Sequence, residues 1–516
     1  MRPHAAEDTP AAAGTVTGSV RRLAFVLMFL LLASTATAAT IRGTKGAELI
    51  AGTRAADSVV AGSGADRVQV AFGGVDRVDC GAGTDLVSAD ATDRVAANCE
   101  VVSRRISVDP YTNADSQHES AVEPDSFSWG DTVVAAFQVG RRSGGAAANI
   151  GTAVSLDAGR TWTRSFVPGL TVNATPPGQE TAASDPTVAY DSVHDTWLVA
   201  SLTIARTASH VYVARSTDGA HWSAPIDVVS GPILDKEWVV CDNGAASPFK
   251  GRCYVEYTDD QKSITVSQFS TDGGATWSQP VRAGSFLVGT QPVVLPNGTL
   301  VVVAGDYRDD QAQSGAIAAL RSTDGGATFT RFTVSDLQAA DNAPMRAIAL
   351  PSVDVDSAGT IYAVWHDCRF RQGCLRNDMV LSTSTDGQTW TPAARIPVAD
   401  PTSQLSAFIS GLAADPVRPG RLGLVYAYYP SGSSVLGMAF IQSRDGGRTW
   451  AGRQRLDAQP MQVTWLPQAE GGRMVGDYFS LSFAGSRVVP VFALAASPLN
   501  GRFREAIFAA SLRALG

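Results

Sequence analysis

The sequence predicts an all-β protein, and three observations point to a β-propeller as its main part. The 516 residues include 49 glycines and 26 prolines but only 17% charged residues, a composition typical of many short strands and tight turns. A phrase of seven or eight residues, such as "STDGGATW" at Ser270–Trp277, occurs in six near-copies. Strand-like apolar runs flank each copy at a regular interval, as expected for repeated sheet units.

The first 38 residues (1–38) are predicted to be a secretion signal. Arg21 and Arg22 precede an apolar run, Leu23–Leu32, and Ala36–Ala38 has the small residues of a cleavage site. The run is short for a bilayer span, so we expect cleavage, a secreted protein and no membrane span in the mature chain. An uncleaved anchor is the alternative.

The six cysteines predict three local disulfides. They form close pairs without CxxC spacing, and histidine is scarce near them, which argues against zinc. Disulfides agree with an exported protein. The predicted pairs are Cys80 with Cys99, Cys241 with Cys253, and Cys368 with Cys374.

The charge balance argues against nucleic acid as a partner. The net charge is −8, and no run of Lys and Arg occurs outside the N-terminal region. A nucleic-acid-binding surface normally needs a basic patch. We expect a monomer.

Residues 39–100 contain a short repeat. Acidic residues recur at intervals of eight to ten residues, and an aliphatic residue follows each at the second position. The acidic residues are Glu48, Asp57, Asp66, Asp76, Asp85 and Asp93, and the aliphatic ones are Ile50, Val59, Val68, Val78, Val87 and Val95. This pattern resembles the calcium-binding nonapeptide repeat of RTX proteins, although full G-G-x-G-x-D units are absent.

The RTX resemblance implies a small β-roll or β-solenoid with Ca²⁺ bound between its turns. Carboxylates are suitable oxygen ligands for Ca²⁺. The implied ligands are Asp57, Asp66, Asp76 and Asp85, and no organic cofactor is expected. A degenerate solenoid held by the Cys80–Cys99 bridge, without metal, is the alternative.

Residues 101–516 are predicted to form the propeller. The aspartates of the six phrases lie 52 to 62 residues apart, and each unit reads as four strands with the phrase between the third and the fourth. A seventh unit near the C-terminus, Gly472–Leu512, lacks the phrase and supplies three strands. The stretch "VVSRRISVDP", Val101–Pro110, is predicted to add its fourth strand, because closure removes exposed sheet edges. Seven blades are favoured, and six are the alternative.

The phrase is identified as the S-x-D-x-G-x-x-W Asp box, or BNR repeat, of the sialidase superfamily, and the resemblance covers about Glu123–Leu512. Within each box, the aspartate is expected to accept backbone N–H bonds, and the glycine to take a positive φ. These aspartates are therefore predicted to be structural and to face away from any substrate. They are Asp157, Asp218, Asp272, Asp324, Asp386 and Asp445.

The sialidase resemblance implies a site in the loops at the opposite mouth. Sialidases grip the substrate carboxylate with three arginines, use a tyrosine activated by a glutamate as nucleophile, and use an aspartate as acid/base. On that template Tyr478 is the nucleophile, Glu237 its activating base, and Asp185 or Asp367 the acid/base. The implied arginines are Arg346, Arg369 and one of Arg141 or Arg142.

The sequence also departs from the sialidase pattern. The early arginine motif of the family is absent from the first unit, and "ARIP" occurs only at Ala394–Pro397, at the end of the fifth. Sialidases are six-bladed, so seven blades would indicate a relative. The resemblance implies a glycan or a cell-surface carbohydrate as the partner. Three functions stay open: a secreted exo-glycosidase of exo-α-sialidase type acting on terminal sialic acid or a related sugar, a non-catalytic propeller that binds glycans or cell-surface ligands, and a structural surface protein.

Overall fold

The chain folds almost entirely into β-strands, as predicted. The structure is a computed structural model that describes residues 37–204, 208–309, 312–430 and 432–515. Within these residues there is no α-helix, and two 3₁₀ helices of three residues each lie at Gln372–Cys374 and Val463–Trp465. No described helix is long and apolar enough to cross a membrane. The predicted signal lies outside the described residues, except for its last two.

The N-terminal segment is a β-solenoid made of two parallel sheets. The order is β1-β3-β5-β7 in one sheet and β2-β4-β6-β8 in the other. The eight strands are β1 (Thr40–Arg42), β2 (Leu49–Ala51), β3 (Ser58–Val60), β4 (Arg67–Gln69), β5 (Arg77–Asp79), β6 (Leu86–Asp90), β7 (Arg94–Val95) and β8 (Val101–Arg105). The alternation of the strands between two sheets explains the sequence period, since one full coil takes two repeats.

The predicted aliphatic residues form the core of the solenoid. Ile50, Val59, Val68, Val78 and Val87 are buried, and a Cys80–Cys99 disulfide closes the last coil. Successive coils approach closely at their glycine turns. A Cβ added at Gly81 would overlap the carbonyl of Gly62 in the previous coil, and its φ is 85°. Glycine is required there because a Cβ atom has no space and because other residues rarely adopt this positive φ.

The rest of the chain consists of antiparallel four-strand units. The first three are β9 (Ala121–Trp129), β10 (Thr132–Arg141), β11 (Ala147–Ser155), β12 (Thr163–Phe166); β13 (Ala182–Asp191), β14 (Thr196–Ile204), β15 (Ser209–Ser216), β16 (Ile226–Gly231); and β17 (Leu234–Cys241), β18 (Cys253–Asp259), β19 (Ile264–Ser270), β20 (Val281–Ser285). The next three are β21 (Val288–Val294), β22 (Leu300–Tyr307), β23 (Ser314–Ser322), β24 (Thr330–Gln338); β25 (Ser352–Val355), β26 (Ile361–Asp367), β27 (Asp378–Ser384), β28 (Ala394–Arg395); and β29 (Leu405–Ala414), β30 (Leu422–Pro430), β31 (Val435–Ser443), β32 (Ala451–Arg455). In each of the six units the Asp box lies between the third and fourth strands, as predicted.

The last unit is completed by a strand from the N-terminal side of the chain. After β33 (Met461–Gln462), β34 (Gln468–Ala469) and β35 (Gly472–Arg473), the chain forms β36 (Ser480–Ala484), β37 (Arg487–Leu499), β38 (Arg502–Ala510) and β39 (Leu512–Arg513). β38 pairs antiparallel with β8, with Ala510 opposite Ser103. β8 also pairs parallel with β6, so one strand ends the solenoid and completes the last unit. The predicted role of this stretch is confirmed.

The first strands of the units contact one another in chain order. β9, β13, β17, β21, β25, β29 and β36 each contact the next, and β36 contacts β9. Polar side chains on these strands accept hydrogen bonds from backbone N–H groups of the neighbouring first strand. The bonds are Val188 N to Asp125 Oδ2 (2.7 Å), Val239 N to Thr187 Oγ1 (3.1 Å), Val353 N to Gln291 Oε1 (2.9 Å), Leu412 N to Ser352 Oγ (3.0 Å) and Ser126 N to Ser480 Oγ (2.8 Å).

The Asp boxes join neighbouring units. In all six boxes one glycine, with φ between 72° and 85°, lies against a side chain of the preceding unit. The pairs are Gly159 with Val489, Gly219 with Val134, Gly274 with Leu198, Gly326 with Tyr254, Gly387 with Val301 and Gly447 with Leu381. A Cβ on Gly387 would lie 2.5 Å from Val301, so a larger residue would push the units apart. The contact of Gly159 with Val489 joins the first unit to the last.

Candidate active site

Bulges in the first strands direct charged residues to one place. The pairing register shifts at Glu123, Asp185 and Lys236, and each of these residues has a positive φ, of 52°, 47° and 52°. Gly289 and Ile409 take the same conformation at the bulges of two further first strands. A bulge re-aims the side chain that it carries, and positive φ at non-glycine residues is typical of functional sites.

The bulges surround a small cavity of about 20 Å³, which has room for one or two water molecules but not for a sugar ring. Charged, hydroxyl, amide and aromatic side chains line it. The lining residues are Asp185, Lys236, Glu237, Trp238, Gly289, Thr290, Gln291, Leu350, Pro351, Ser352, Ser410, Asp477, Tyr478 and Phe479. Of the predicted catalytic residues, Tyr478, Glu237 and Asp185 therefore come together, and Asp367 does not line this cavity.

Asp477 is held by two cations. Arg346 binds it with two parallel hydrogen bonds, Nε to Oδ1 at 2.8 Å and Nη2 to Oδ2 at 2.7 Å. Lys236 Nζ donates to Asp477 Oδ2 at 2.9 Å and lies 3.6 Å from Asp185 Oδ2. Although burial opposes ionisation, Lys236 and Arg346 hold the pKa of Asp477 well below its usual range. Asp477 is thus a buried, ionised carboxylate.

Asp185 and Glu123 share a hydrogen-bonded network. Ser184 Oγ donates to Asp185 Oδ1 at 2.7 Å, and the Gln138 amide donates to Ser184 Oγ at 3.0 Å and to Glu123 Oε2. Burial and the Asp185 charge raise the pKa of Glu123 to about 8. At neutral pH Glu123 is therefore mostly protonated.

Glu237 is a buried acid whose carboxyl group bonds to no other described residue. Its exposed fraction is 1%, and neither carboxyl oxygen has a partner among the described residues. Burial and the charge of Asp185 raise the pKa of Glu237 well above its usual value. A raised pKa favours the protonated form, which is the form that a general acid needs.

Tyr478 packs beside these carboxyls. Its ring meets Trp238 edge-on at 5.3 Å, and its hydroxyl donates to the carbonyl of Pro186 at 3.3 Å. Burial, with Glu123 and Asp185 nearby, raises the pKa of Tyr478 well above its usual value. The phenol is therefore neutral in this arrangement. Its predicted role as nucleophile stays a prediction.

Asp367 and Arg369 pair with each other. Arg369 donates to Asp367 from Nε at 2.9 Å and from Nη2 at 2.6 Å, and from Nη1 to Ser335 Oγ at 3.1 Å. Arg369 follows β26 in a loop that the predicted Cys368–Cys374 disulfide closes. The Cys241–Cys253 disulfide is also confirmed.

The side chains of Arg141 and Arg142 form hydrogen bonds and an ion pair within the protein. Arg141 Nη1 donates to the carbonyls of Arg142 and Ala146 at 2.9 and 2.8 Å. Arg142 Nη2 donates to the carbonyl of Thr181 at 2.7 Å and lies 2.8 Å from a carboxyl oxygen of Asp115. Of the predicted arginines, Arg346 alone contacts a cavity residue through its side chain, as far as the described contacts extend, and it does so through Asp477.

Several residues of the site were not among the predicted ones, notably Glu123, Lys236, Ser410 and Asp477. A signal for the first does exist in the sequence. Glu123 and Asp185 each precede a proline inside a strand, and proline within a sheet is confined to edges and bulges. An acid-proline pair in the first strand of a unit therefore indicates a bulge that presents the acid.

The solenoid carboxylates form ladders. Asp76 Oδ1 accepts a hydrogen bond from the N–H of Asp57 at 2.6 Å, and Asp85 Oδ1 accepts one from the N–H of Asp66 at 2.7 Å. Each of these carboxylates is thus hydrogen-bonded to the preceding coil. The second oxygens of Asp66, Asp76 and Asp85 are buried without a hydrogen-bond partner among the described residues. Burial raises the pKa of Asp76 and Asp85.

These orphaned oxygens fit a cation in their chemistry, because Ca²⁺ prefers hard oxygen ligands. In the described part of the chain, however, no three His, Cys, Asp or Glu side chains converge on one point that could hold a metal. Backbone carbonyls and water would have to complete any site. Calcium binding by Asp57, Asp66, Asp76 and Asp85 thus stays a prediction.

Comparison with known families finds one match. The family described as "BNR repeat-like domain" matches residues 130–396, just over half of the chain. A comparison with curated proteins finds no match.

Solved structures of low similarity also match. A protein of unknown function from Dyadobacter fermentans is 15% identical over 64% of this chain and 95% of its own, with a TM-score of 0.42. A Hadza microbial sialidase is 16% identical over 77% of this chain and 66% of its own, with a TM-score of 0.43. The leech intramolecular trans-sialidase is 14% identical over 69% of this chain and 71% of its own, with a TM-score of 0.43.

Proposed function

The chain belongs to the BNR repeat-like domain family, and on that premise we propose that it is a secreted, glycan-active propeller that hydrolyses the bond to a terminal sugar. Sialic acid or a related sugar is the substrate that the sialidase resemblance suggests. We propose seven blades, one for each four-strand unit, with β8 as the closing strand. The contact of Gly159 with Val489, between the first and last units, supports this number over six.

One observation supports the proposal of hydrolysis: the cavity is lined by two acids in different environments. Burial raises the pKa of Glu237, whereas Asp185 accepts a hydrogen bond from Ser184 and lies close to Lys236. Two acids in different environments can divide acid and base roles between them. Glu237 gives its proton to the leaving glycosidic oxygen as the sugar C–O bond breaks. Asp185 takes a proton from the water whose oxygen bonds to the sugar carbon, and exchange with solvent restores both groups.

The sialidase scheme needs a different protonation. There Glu237 would have to be ionised to take the proton of Tyr478, and the raised pKa of both groups opposes this. We therefore propose Glu237 as the acid rather than as the activating base.

Hydrolysis is tested with 4-methylumbelliferyl glycosides. We expect Glu237→Gln and Asp185→Asn to lower kcat by about 100-fold or more, because each removes a proton-transfer group. Glu256→Gln is the matched control, since Glu256 is also buried with a raised pKa but lies outside the cavity lining. Its turnover should equal that of the wild type. Equal turnover in Glu237→Gln, or no turnover of any glycoside by the wild type, would contradict the proposal.

Glycan binding without hydrolysis is the second candidate function. The observation that favours it is the cavity volume of about 20 Å³, since a sugar ring can only lie above such a cavity. Binding of glycans on an array, together with unchanged glycans after long incubation, would support this candidate over hydrolysis.

Secretion and calcium binding complete the proposal. Three disulfides, with no free cysteine in the described residues, support folding in an oxidising compartment. The buried, unpartnered oxygens of Asp66, Asp76 and Asp85 support a stabilising role of Ca²⁺ in the solenoid. Such a role requires no contribution of the ion to catalysis.

A further inference from the structure

The cations at the candidate site are neutralised by a carboxylate of the protein. Arg346 and Lys236 both bind Asp477, and the two hydrogen bonds from Arg346 are parallel. This is the geometry with which an arginine binds the carboxylate of a ligand. Asp477 is fully buried, whereas the Arg346 side chain keeps an exposed fraction of 27%. The internal carboxylate thus occupies the position that a substrate carboxylate would need.

The other predicted substrate-binding arginines are also engaged. Arg369 is bound to Asp367, Arg141 to two backbone carbonyls, and Arg142 to Asp115. The lining itself carries the acids Asp185, Glu237 and Asp477 but only one cation, Lys236. An anionic sugar would therefore lose hydration without gaining a free counter-charge, and would meet carboxylates.

Three side-chain oxygens at the cavity have no hydrogen-bond partner among the described residues. They are Ser410 Oγ and both carboxyl oxygens of Glu237, and all three are buried in residues that line the cavity. Burial of such a group without a partner is unfavourable. Sugar hydroxyls or water can satisfy them, because a hydroxyl both donates and accepts. The aromatic rings of Trp238 and Tyr478 also belong to the lining and meet edge-on at 5.3 Å.

We propose that Asp477 takes the place of a substrate carboxylate, so that the site accepts a terminal sugar without a carboxylate group, a neutral pyranose or furanose. The inference rests on the proposed function, because it names the substrate class of the same site. It departs from sialic acid, the sugar that the family resemblance suggests.

The first test compares charged and neutral substrates on the wild-type protein. The panel holds 4-methylumbelliferyl glycosides of glucose, galactose, mannose, xylose, arabinose and fucose, and those of N-acetylneuraminic and glucuronic acid. We expect turnover of at least one neutral glycoside, and turnover of both acidic ones at least about 100-fold lower. Preferred cleavage of an acidic glycoside would overturn the inference while leaving hydrolysis intact. No cleavage of any glycoside would overturn hydrolysis instead.

The second test uses binding, so that it does not depend on turnover. Trp238 lines the cavity, and its fluorescence can report titration with galactose, arabinose or N-acetylneuraminic acid, with Trp238→Phe as the reference for the signal. We expect Asp477→Asn to free Arg346 and Lys236 and to raise the affinity for N-acetylneuraminic acid about tenfold or more, while neutral sugars gain nothing. A wild-type protein that binds N-acetylneuraminic acid more tightly than any neutral sugar would refute the inference, even if Asp477→Asn failed to fold.

Discussion

Asp272 accepts four hydrogen bonds within its own turn. Ser270 Oγ, the N–H of Ala275 and the N–H of Thr276 donate to Oδ1 at 2.8, 3.0 and 2.9 Å, and Thr276 Oγ1 donates to Oδ2 at 2.6 Å. The neighbouring Gly274 packs on Leu198 of the preceding unit. All described donors to the carboxylate are thus local and belong to its own turn.

The ionised Asp272 is expected to stabilise the fold. Although partial burial opposes ionisation, the bonds from Thr276 and Ser270 lower its pKa to about 2. Because the folded pKa lies below the unfolded value of about 3.9, this stability is present above about pH 4 and is lost as the pH falls towards 2. Asp272→Ala should therefore lower the melting temperature near neutral pH, and the difference from the wild type should shrink in acid.

Thermal unfolding at several pH values checks this expectation. Removal of the bonds should destabilise the protein by about 1–3 kcal/mol near neutral pH. The exposed Asp336 provides the control, as Asp336→Ala should leave the melting temperature unchanged. A deficit of Asp272→Ala that stays constant down to about pH 2 would show that ionisation of this carboxylate is not the cause.

Single residues also show which contacts can be predicted from the sequence and which cannot. The Asp boxes could be predicted, since their hydrogen bonds join residues at most four positions apart. The ion pair of Arg346 with Asp477 spans 131 positions, and that of Lys236 with Asp477 spans 241. Because such pairs depend on which strands become neighbours, no local pattern indicates them. The predicted arginines were therefore named without their true partners.

At the scale of elements, β8 connects the two repeats of the chain. It pairs parallel with β6 and antiparallel with β38, so the even-numbered sheet of the solenoid continues into the last unit. The sequence predicted this strand because the last unit lacked one. The sequence did not predict that the sheet continues into the solenoid. The strand that pairs with the second edge of β8 depends on how the solenoid coils. Folding of the solenoid and closure of the last unit are thereby coupled.

The solenoid is also where calcium is expected to act. An ion that binds the folded coils but not the unfolded chain raises stability by mass action. We expect millimolar Ca²⁺ to raise the melting temperature of the region before Val101, and to slow its amide hydrogen exchange. Asp85→Asn should reduce the effect, because Asp85 contributes a buried oxygen without a partner.

The matched control is Asp79→Asn. Asp79 is an exposed acid of β5, outside the ladders, so this variant should respond to Ca²⁺ like the wild type. Melting and exchange that are the same in Ca²⁺ and in a chelator would rule out calcium binding in the solenoid.

At the scale of the whole molecule, repeated and unrepeated residues have separate tasks. The repeated Asp boxes lie in the turns between third and fourth strands and join the units. The unrepeated residues at the bulges of the first strands, among them Asp185 and Lys236, meet around the cavity. The architecture was predictable because it repeats. The site was predictable only in part, because the charges at the bulges differ from unit to unit.

The most direct test of this division compares two aspartates, Asp185 at the cavity and Asp272 in an Asp box. Melting temperature and glycoside turnover are measured for Asp185→Asn and Asp272→Ala at neutral pH. We expect Asp185→Asn to lose turnover by about 100-fold while its melting temperature is kept. Asp272→Ala is predicted to lose stability but, while folded, to keep its turnover. A folded but inactive Asp272→Ala protein, or an Asp185→Asn protein with full turnover, would show that the two groups of residues do not have separate tasks.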